Sequence, residues 1–293
     1  MSPQEFLLVV FCLIDDEVKA LGPLRSRGPE PTLSDAEVLT IEVVGELWGL
    51  GDDAALFRFF RRYHAAEFPA LATVHRTTFA RQAANTCWAK RRVQARIAAR
   101  LCDPHAPWIV DSAPLPACRF RRARRCRRFA GSCGWGYDPV AQKAFYGHRL
   151  HLRTSPEGVI LGYQLAPADA AETEVIWELA PAPIGTALGD RNYWSPATRE
   201  AFEAAGGRLV APYKLARYDA DRRRSAALLL RLRRQIEVTI GQLVERLGCR
   251  RTRVRDLWHL EHRLVRKILA HTVAAGLNVA AGHPPLQLDR LVA

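Results

Sequence analysis

The chain has 293 residues, with 43 Lys and Arg against 30 Asp and Glu and a net charge of +13. Hydrophobic residues make up 48%, enough to bury a substantial core, which excludes wholesale disorder. The longest apolar run, Phe6 to Ile14, is far short of the roughly 20 residues that cross a bilayer and has no Lys or Arg before it, so neither a membrane span nor a secretory signal is expected.

In chain order, residues 1–101 read as helical. Ser34 and Glu37 form the S-x-x-E pattern that caps a helix, and Val38, Ile41 and Gly45 then share one face. Gly49 and Gly51 end that helix. A second begins at Asp52, with Leu56, Phe59 and Phe60 inward and Arg58, Arg61 and Arg62 outward, and a third runs from about Thr77 to Arg100. Trp108 to Asp111 reads as a short buried strand that ends in an acid, and Pro114 and Pro116 argue against its continuing as a central strand. Lys143–Arg153 and Gly158–Leu165 have strand composition around the turn Ser155-Pro156-Glu157-Gly158, which makes a hairpin. A helix over 169–179, a strand over 184–188, a helix opened by Ser195-Pro196 and a strand over 208–211 follow. From Ser225 to Ala280 the chain is almost wholly helical. The expected fold class is α/β: a mixed sheet flanked by helices, preceded by an N-terminal all-α domain. The expected domains are a helical leader over 1–103, a sheet domain over 104–282 and a tail over 283–293.

The seven cysteines are odd in number and contain no C-x-x-C, which fits a reducing cytosol rather than a secreted disulfide framework. Cys118, Cys126 and Cys133, with His148, have the residue types of a zinc site. Their gaps of seven and six residues are wider than usual zinc spacings, so buried or idle thiols are expected. The charge is uneven: residues 1–51 are acidic on balance and 52–110 basic on balance, and the rest supplies the surplus. Only five of the 43 basic residues are Lys. Arginine forks bind phosphate bidentately and stack on bases, so this surplus suits a nucleic-acid partner.

Two acids stand at the exits of buried strands: Asp111 after Trp-Ile-Val, and Asp190 after Ala187-Leu188-Gly189. Charge there is costly unless it has a partner or a task, and strand ends of open sheets are where ligands bind. A third acid is expected from the helical region. Leu229, Leu232, Ile236, Ile240, Leu243 and Leu247 form one stripe, and Glu237 lies roughly 100° from its middle, at the border of core and cleft. Arg233, one turn earlier, can brace it. Together Asp111, Asp190 and Glu237 make an oxygen-rich site for hard divalent cations.

The segments Ile109–Pro116, Lys143–Leu152, Leu188–Tyr193 and Pro167–Glu172, with Arg233 and Glu237 in an R-x-x-x-E spacing, resemble the DDE transposases of bacterial insertion sequences. Leu33–Thr40 and Arg76–Phe79 resemble that family's leader domain. The resemblance spans about residues 30 to 280 and implies an RNase H-like core with Asp111, Asp190 and Glu237 as catalytic and metal-binding triad. It further implies cytoplasmic action on the ends of the protein's own mobile element. On this reading two Mg²⁺ ions, with Mn²⁺ as a substitute, are the cofactor: Asp111 bridges them, and Asp190 and Glu237 each complete one site. Water frees a 3′-hydroxyl that then attacks target DNA. The partners are double-stranded DNA, as terminal inverted repeats and target, and further copies of the chain in a dimer or larger synaptic assembly.

Residues 119–128 hold seven arginines in ten: Arg119, Arg121, Arg122, Arg124, Arg125, Arg127 and Arg128. With Lys143, Arg191 and Arg233 they are the expected DNA contacts. The span Lys214–Lys267 is a second candidate track. Asp169 and Glu172 are assigned a cap or dipole role, and His148 and His151 a structural one. Rival readings are an RNase H-like host nuclease without a joining step, and a non-catalytic DNA-binding regulator.

Overall fold

The computed structural model describes residues 1–25, 27–181, 185–211, 220–252 and 254–291; the side chains of Arg191 and of residues 220–230 lie outside the description. The chain divides into two compact units. One holds residues 1–98, 243–254 and 258–293, the other residues 99–242 and 255–257.

The first unit is helical: α1 (Pro3–Leu21), α2 (Asp35–Leu47), α3 (Asp53–Tyr63), α4 (Arg76–Asn85), α5 (Cys87–Leu101) and the long α9 (Leu257–Ala280). The S-x-x-E pattern caps α2 as read: Glu37 N–H donates to Ser34 Oγ at 3.2 Å and Ser34 N–H to Glu37 Oε2 at 2.7 Å. Asp52 caps α3 through Ala55 N–H at 2.8 Å. The single helix expected over 77–100 is two, divided at Thr86, whose hydroxyl is turned back onto the Gln82 and Ala83 carbonyls.

Every residue of α2 except Asp35 and Glu37 is buried, including Glu42 and Glu46. These carboxylates are matched by buried cations. Arg266 Nε meets Glu46 at 2.5 Å, and its Nη1 meets Asp53 at 2.7 Å and Glu42 at 3.4 Å. Lys267 meets Glu46 at 2.6 Å, and Lys90 pairs with Glu42. Burial pushes the Arg266 guanidinium down, but Glu46, Glu42 and Asp53 together carry it above its ordinary value. The basic surplus expected to form a DNA track over 214–267 is therefore partly internal: Arg263, Arg266 and Lys267 are spent on ion pairs within the helical unit. The reason is the acidic stretch 42–53, whose burial requires counter-charges.

The second unit carries a six-stranded sheet: β1 (Trp108–Pro116), β2 (Gly134–Asp138), β3 (Lys143–Thr154), β4 (Ile160–Pro167), β5 (Gly185–Leu188) and β6 (Gly207–Val210). β3 pairs antiparallel with β1, β2 and β4, while β1–β5 and β5–β6 are parallel. Its helices are α6 (Glu172–Leu179), α7 (Pro196–Ala204) and α8 (Ala220–Gly241). The fold class is the one read from the sequence, an RNase H-like mixed sheet flanked by helices and preceded by an all-α region. Two details differ. β1 runs through Pro114 and Pro116, because β5 borders it only at Trp108 and Ile109, so the missing N–H groups fall where one side of the strand has no ladder. β2, rich in glycine and aromatics and only five residues long, was not read as a strand. Trp108, Val110, Ile176, Leu179, Ala187, Phe202 and Leu209 form the core between sheet, α6 and α7. Among the described residues no helix is long and apolar enough to cross a membrane.

Two outcomes follow for the helical unit. Arg266→Met removes the one cation shared by Glu42, Glu46 and Asp53, leaving each a single cationic partner, and should lower unfolding free energy by about 3–5 kcal/mol in urea titration. Burial pushes His271 down to about 4 from 6.5, so it is neutral in the fold while the unfolded chain protonates it from about 6.5 downward. Its stabilising contribution is full above pH 6.5 and is lost as pH falls toward 4. Thermal unfolding should shift down over that window, and less so in His271→Leu; equal slopes would exclude His271 as a source.

Candidate active site

β1 and β5 are parallel neighbours in the register Trp108–Ala187 and Ile109–Leu188. Continuing that register by two residues sets Asp111 level with Asp190, which leaves β5 through Gly189. The period of two that turns Trp108 and Val110 into the core turns Ile109 and Asp111 to the other face. α8 packs against β1 and is anchored where Thr239 Oγ1 donates to the Gly158 carbonyl at 2.8 Å. Its Ile236 is fully buried while the neighbouring Glu237 is exposed, the border position that the apolar stripe indicated.

Arg233 connects the acids. Its Nη1 lies 3.8 Å from Asp190 Oδ1 and its Nη2 3.9 Å from Glu237 Oε1. Asp111 accepts from the Ser112 N–H at 2.7 Å. Burial pushes its carboxyl up to about 6 from 3.8; the Ser112 N–H and Arg233 pull it back, and the charges of Asp190 and Glu237 push it up again. The three acids named from the sequence thus lie within electrostatic reach of one another, around one guanidinium.

A fourth carboxylate stands beside them. Glu172, in the first turn of α6, accepts from Ser112 Oγ at 3.1 Å and lies 3.9 Å from Arg149. Arg149 Nη1 in turn donates to Ser112 Oγ at 3.2 Å. Burial raises the Glu172 carboxyl first; Arg149 and Ser112 lower it, and Asp111 and Asp190 raise it. The cap or dipole role read for Glu172 is incomplete: α6 has Ala171 at its cap with no side-chain bond, and the Glu172 carboxylate reaches the serine that follows Asp111. The available signal was its place a few residues past the end of β4, as Asp190 stands past the end of β5; Asp111, read as a strand exit, lies inside β1, which continues to Pro116. His151, fully buried, holds the Tyr193 hydroxyl through Nδ1 at 2.8 Å, and burial pushes it down to about 3, so it is a neutral structural histidine.

The arginine-rich segment follows β1 as a 3-10 turn over Phe120–Arg125. All seven of its arginines, with Phe120 and Trp135, line an open concavity of about 1560 Å³ with no acid in its lining. Phe120 and Trp135 are exposed and meet edge to face, 6.0 Å between centroids. Lys143 opens β3, exposed, opposite Asp138. Arg191 follows Asp190 in a 3-10 turn.

Gly189 has a packing reason. A Cβ there would sit 3.1 Å from both Val110 Cγ1 and Tyr193 Cβ, on two fully packed neighbours. Gly189→Ala should lower unfolding free energy by about 1–3 kcal/mol and displace Asp190 from the level of Asp111. Thermal unfolding reads the first effect and strand-cleavage rate the second; an unchanged protein on both counts would show that the turn tolerates a side chain.

Searches of curated proteins and of solved structures return no match. A family description, transposase DDE domain, matches residues 105–273, from before β1 to within α9 and more than half of the chain. Asp111, Asp190 and the helix that brings Arg233 and Glu237 to them all fall inside that span, and the chain belongs to the transposase DDE domain family.

Proposed function

We propose that this transposase cleaves and joins DNA at the ends of a bacterial insertion sequence, with Asp111, Asp190 and Glu237 as the catalytic carboxylates. The observation that carries the reading is the meeting of these acids, from β1, the β5 exit and α8, around Arg233. The donor set suits hard divalent cations: oxygen ligands only, one of them raised to about 6 by burial and by its acidic neighbours. Asp111, Asp190 and Glu237 would hold two Mg²⁺ ions, or Mn²⁺ in their place. Such ions, when bound, lower the pKa of water and stabilise a leaving oxygen.

The protein's own residues do the rest. Arg233 limits repulsion between Asp190 and Glu237 and is replaceable by added positive charge. Arg149, Ser112 and Glu172 fix the backbone next to Asp111. The arginines at 119–128, with Lys143 and Arg191, hold the phosphate backbone and so give steep salt dependence. The exposed rings of Phe120 and Trp135 offer a face on which unpaired bases stack. Water attacks the phosphodiester to free a 3′-hydroxyl, which then attacks target DNA, so no covalent protein–DNA bond forms. The helical unit recognises the element's inverted repeats, and two or more copies assemble on DNA in the cytoplasm.

Asp111→Ala or Asp190→Ala should abolish Mg²⁺-dependent cleavage of an end-containing duplex while retaining its binding in gel shift. Glu237→Ala should do the same. Full cleavage by any of the three sinks its assignment. Nicked but never joined products from the wild type would favour a nuclease without a strand-transfer step.

A further inference from the structure

Among the described residues, Glu42, Asp53 and His262 in the helical unit offer ligand atoms within 4.8 Å of one another. Lys90, Arg263 and Arg266 occupy the carboxylates of this group, so its charge is balanced without an ion. Among the same described residues, a different set of soft ligands holds no ion pair among its members: the thiols of Cys118, Cys126 and Cys133, and the ring of His148.

The fold brings these four residues into one part of the second unit. Cys118 follows the end of β1, Cys126 the 3-10 turn, and Cys133 immediately precedes β2, while β3 brings His148 opposite Leu115 and next to Gly147, the partner of Gly134. Two pairs result. Cys133 Sγ lies 3.8 Å from His148 Nδ1, and Cys118 and Cys126 line one concavity and act on each other electrostatically. A tetrahedral zinc with bonds of about 2.3 Å to sulfur and 2.0 Å to nitrogen separates its ligands by about 3.5 Å (S to N) and about 3.8 Å (S to S). The Cys133–His148 pair is therefore already close to the length of one ligand-to-ligand edge. The pairs feel each other: Cys133 is pushed up to about 11 by burial and then by Cys126 and Cys118, and Tyr146 senses all three thiols. Bringing the pairs onto one ion requires the segment around Cys126 to close toward Cys133.

His148 is set up for the role. Its Nε2 contacts Ser132 Oγ at 3.2 Å, which, donated from Nε2, leaves the Nδ1 lone pair on the Cys133 side. Phe129, held at a left-handed φ of 56°, packs edge-on against the ring, 5.3 Å between centroids. The segment also needs a cross-link. Between residues 117 and 133 the buried hydrophobics are Ala117, Ala123 and Phe129, set against seven mutually repelling arginines. Three thiolates on one Zn²⁺ leave a net negative charge, which Arg122 and Arg128, already acting on Cys118, are placed to offset.

We propose that Cys118, Cys126, Cys133 and His148 bind one structural zinc ion that staples the arginine-rich segment to β2 and β3. This site is separate from the carboxylates and does not depend on the assignment of the catalytic residues. The test is a Co²⁺ titration of the full chain, purified under reducing conditions and freed of metal. The expected result is one equivalent bound, with the intense thiolate-to-cobalt charge-transfer band and the visible bands of tetrahedral cobalt, and displacement by one equivalent of Zn²⁺. Cys133→Ala and His148→Ala should lose or markedly weaken the spectrum, and Cys12→Ala, in the helical unit, should keep it. Hydrogen exchange of residues 117–133 should slow on adding Zn²⁺ to the wild type, a readout that needs no variant. A wild-type protein that gives no charge-transfer band and no change in exchange overturns the site. A spectrum unchanged in Cys133→Ala overturns the ligand set.

Discussion

Two residue pairs of parallel ladder, Trp108 with Ala187 and Ile109 with Leu188, decide where the candidate acids stand. They are short, but they fix the level of everything beyond them. Asp111 and Asp190 come to the same height because their distances from those pairs are equal. Gly189 permits the close approach of the β5 exit to Val110 and Tyr193. Glu237 then needs only to come from a helix lying against β1, which α8 does through Ile236 and the Thr239 contact with Gly158.

Concentrating acids this way has an electrostatic cost. Arg233 relieves part of it from inside, between Asp190 and Glu237, and Arg149 relieves part around Glu172. The remainder shows in Asp111, which is harder to ionise than an ordinary aspartate. A cation would relieve the same repulsion, so such a cluster is suited to binding one. The helical unit solves the same problem differently. There Glu42, Glu46 and Asp53 are buried outright and met by Lys90, Arg263, Arg266 and Lys267, which leaves a closed set of ion pairs rather than an open one.

Much of the fold was legible because its signals are local. The Ser34–Glu37 box, the Asp52 and Ser195 caps, the Ser155–Gly158 turn and the strand compositions of β3 and β5 each need only a few neighbouring residues to act. The candidate acids were legible for a related reason: an acid directly after a buried apolar run is anomalous whether the strand stops there, as at Asp190, or continues, as at Asp111. What escaped was non-local. Thr86 splits a helix by bonding backwards, β2 is a strand only because β3 lies beside it, and β1 passes two prolines because β5 stops early. Glu172 looked like a helix-start acid, and is one, but Ser112 and Arg149 reach it from strands some distance away in sequence.

The sequence by itself determined the helical and strand segments, the basic surplus and the identity of the acids worth watching, since these follow from side-chain chemistry and periodicity along the chain. Tertiary structure alone decided which charges face inward. Arg263, Arg266 and Lys267 look like a DNA track in one dimension and are internal counter-ions in three, because burial makes an unpaired carboxylate far more costly than a surface arginine is useful. It also decided that Cys133 stands beside His148, fifteen residues on in the chain, since strand pairing brings positions together without regard to their spacing.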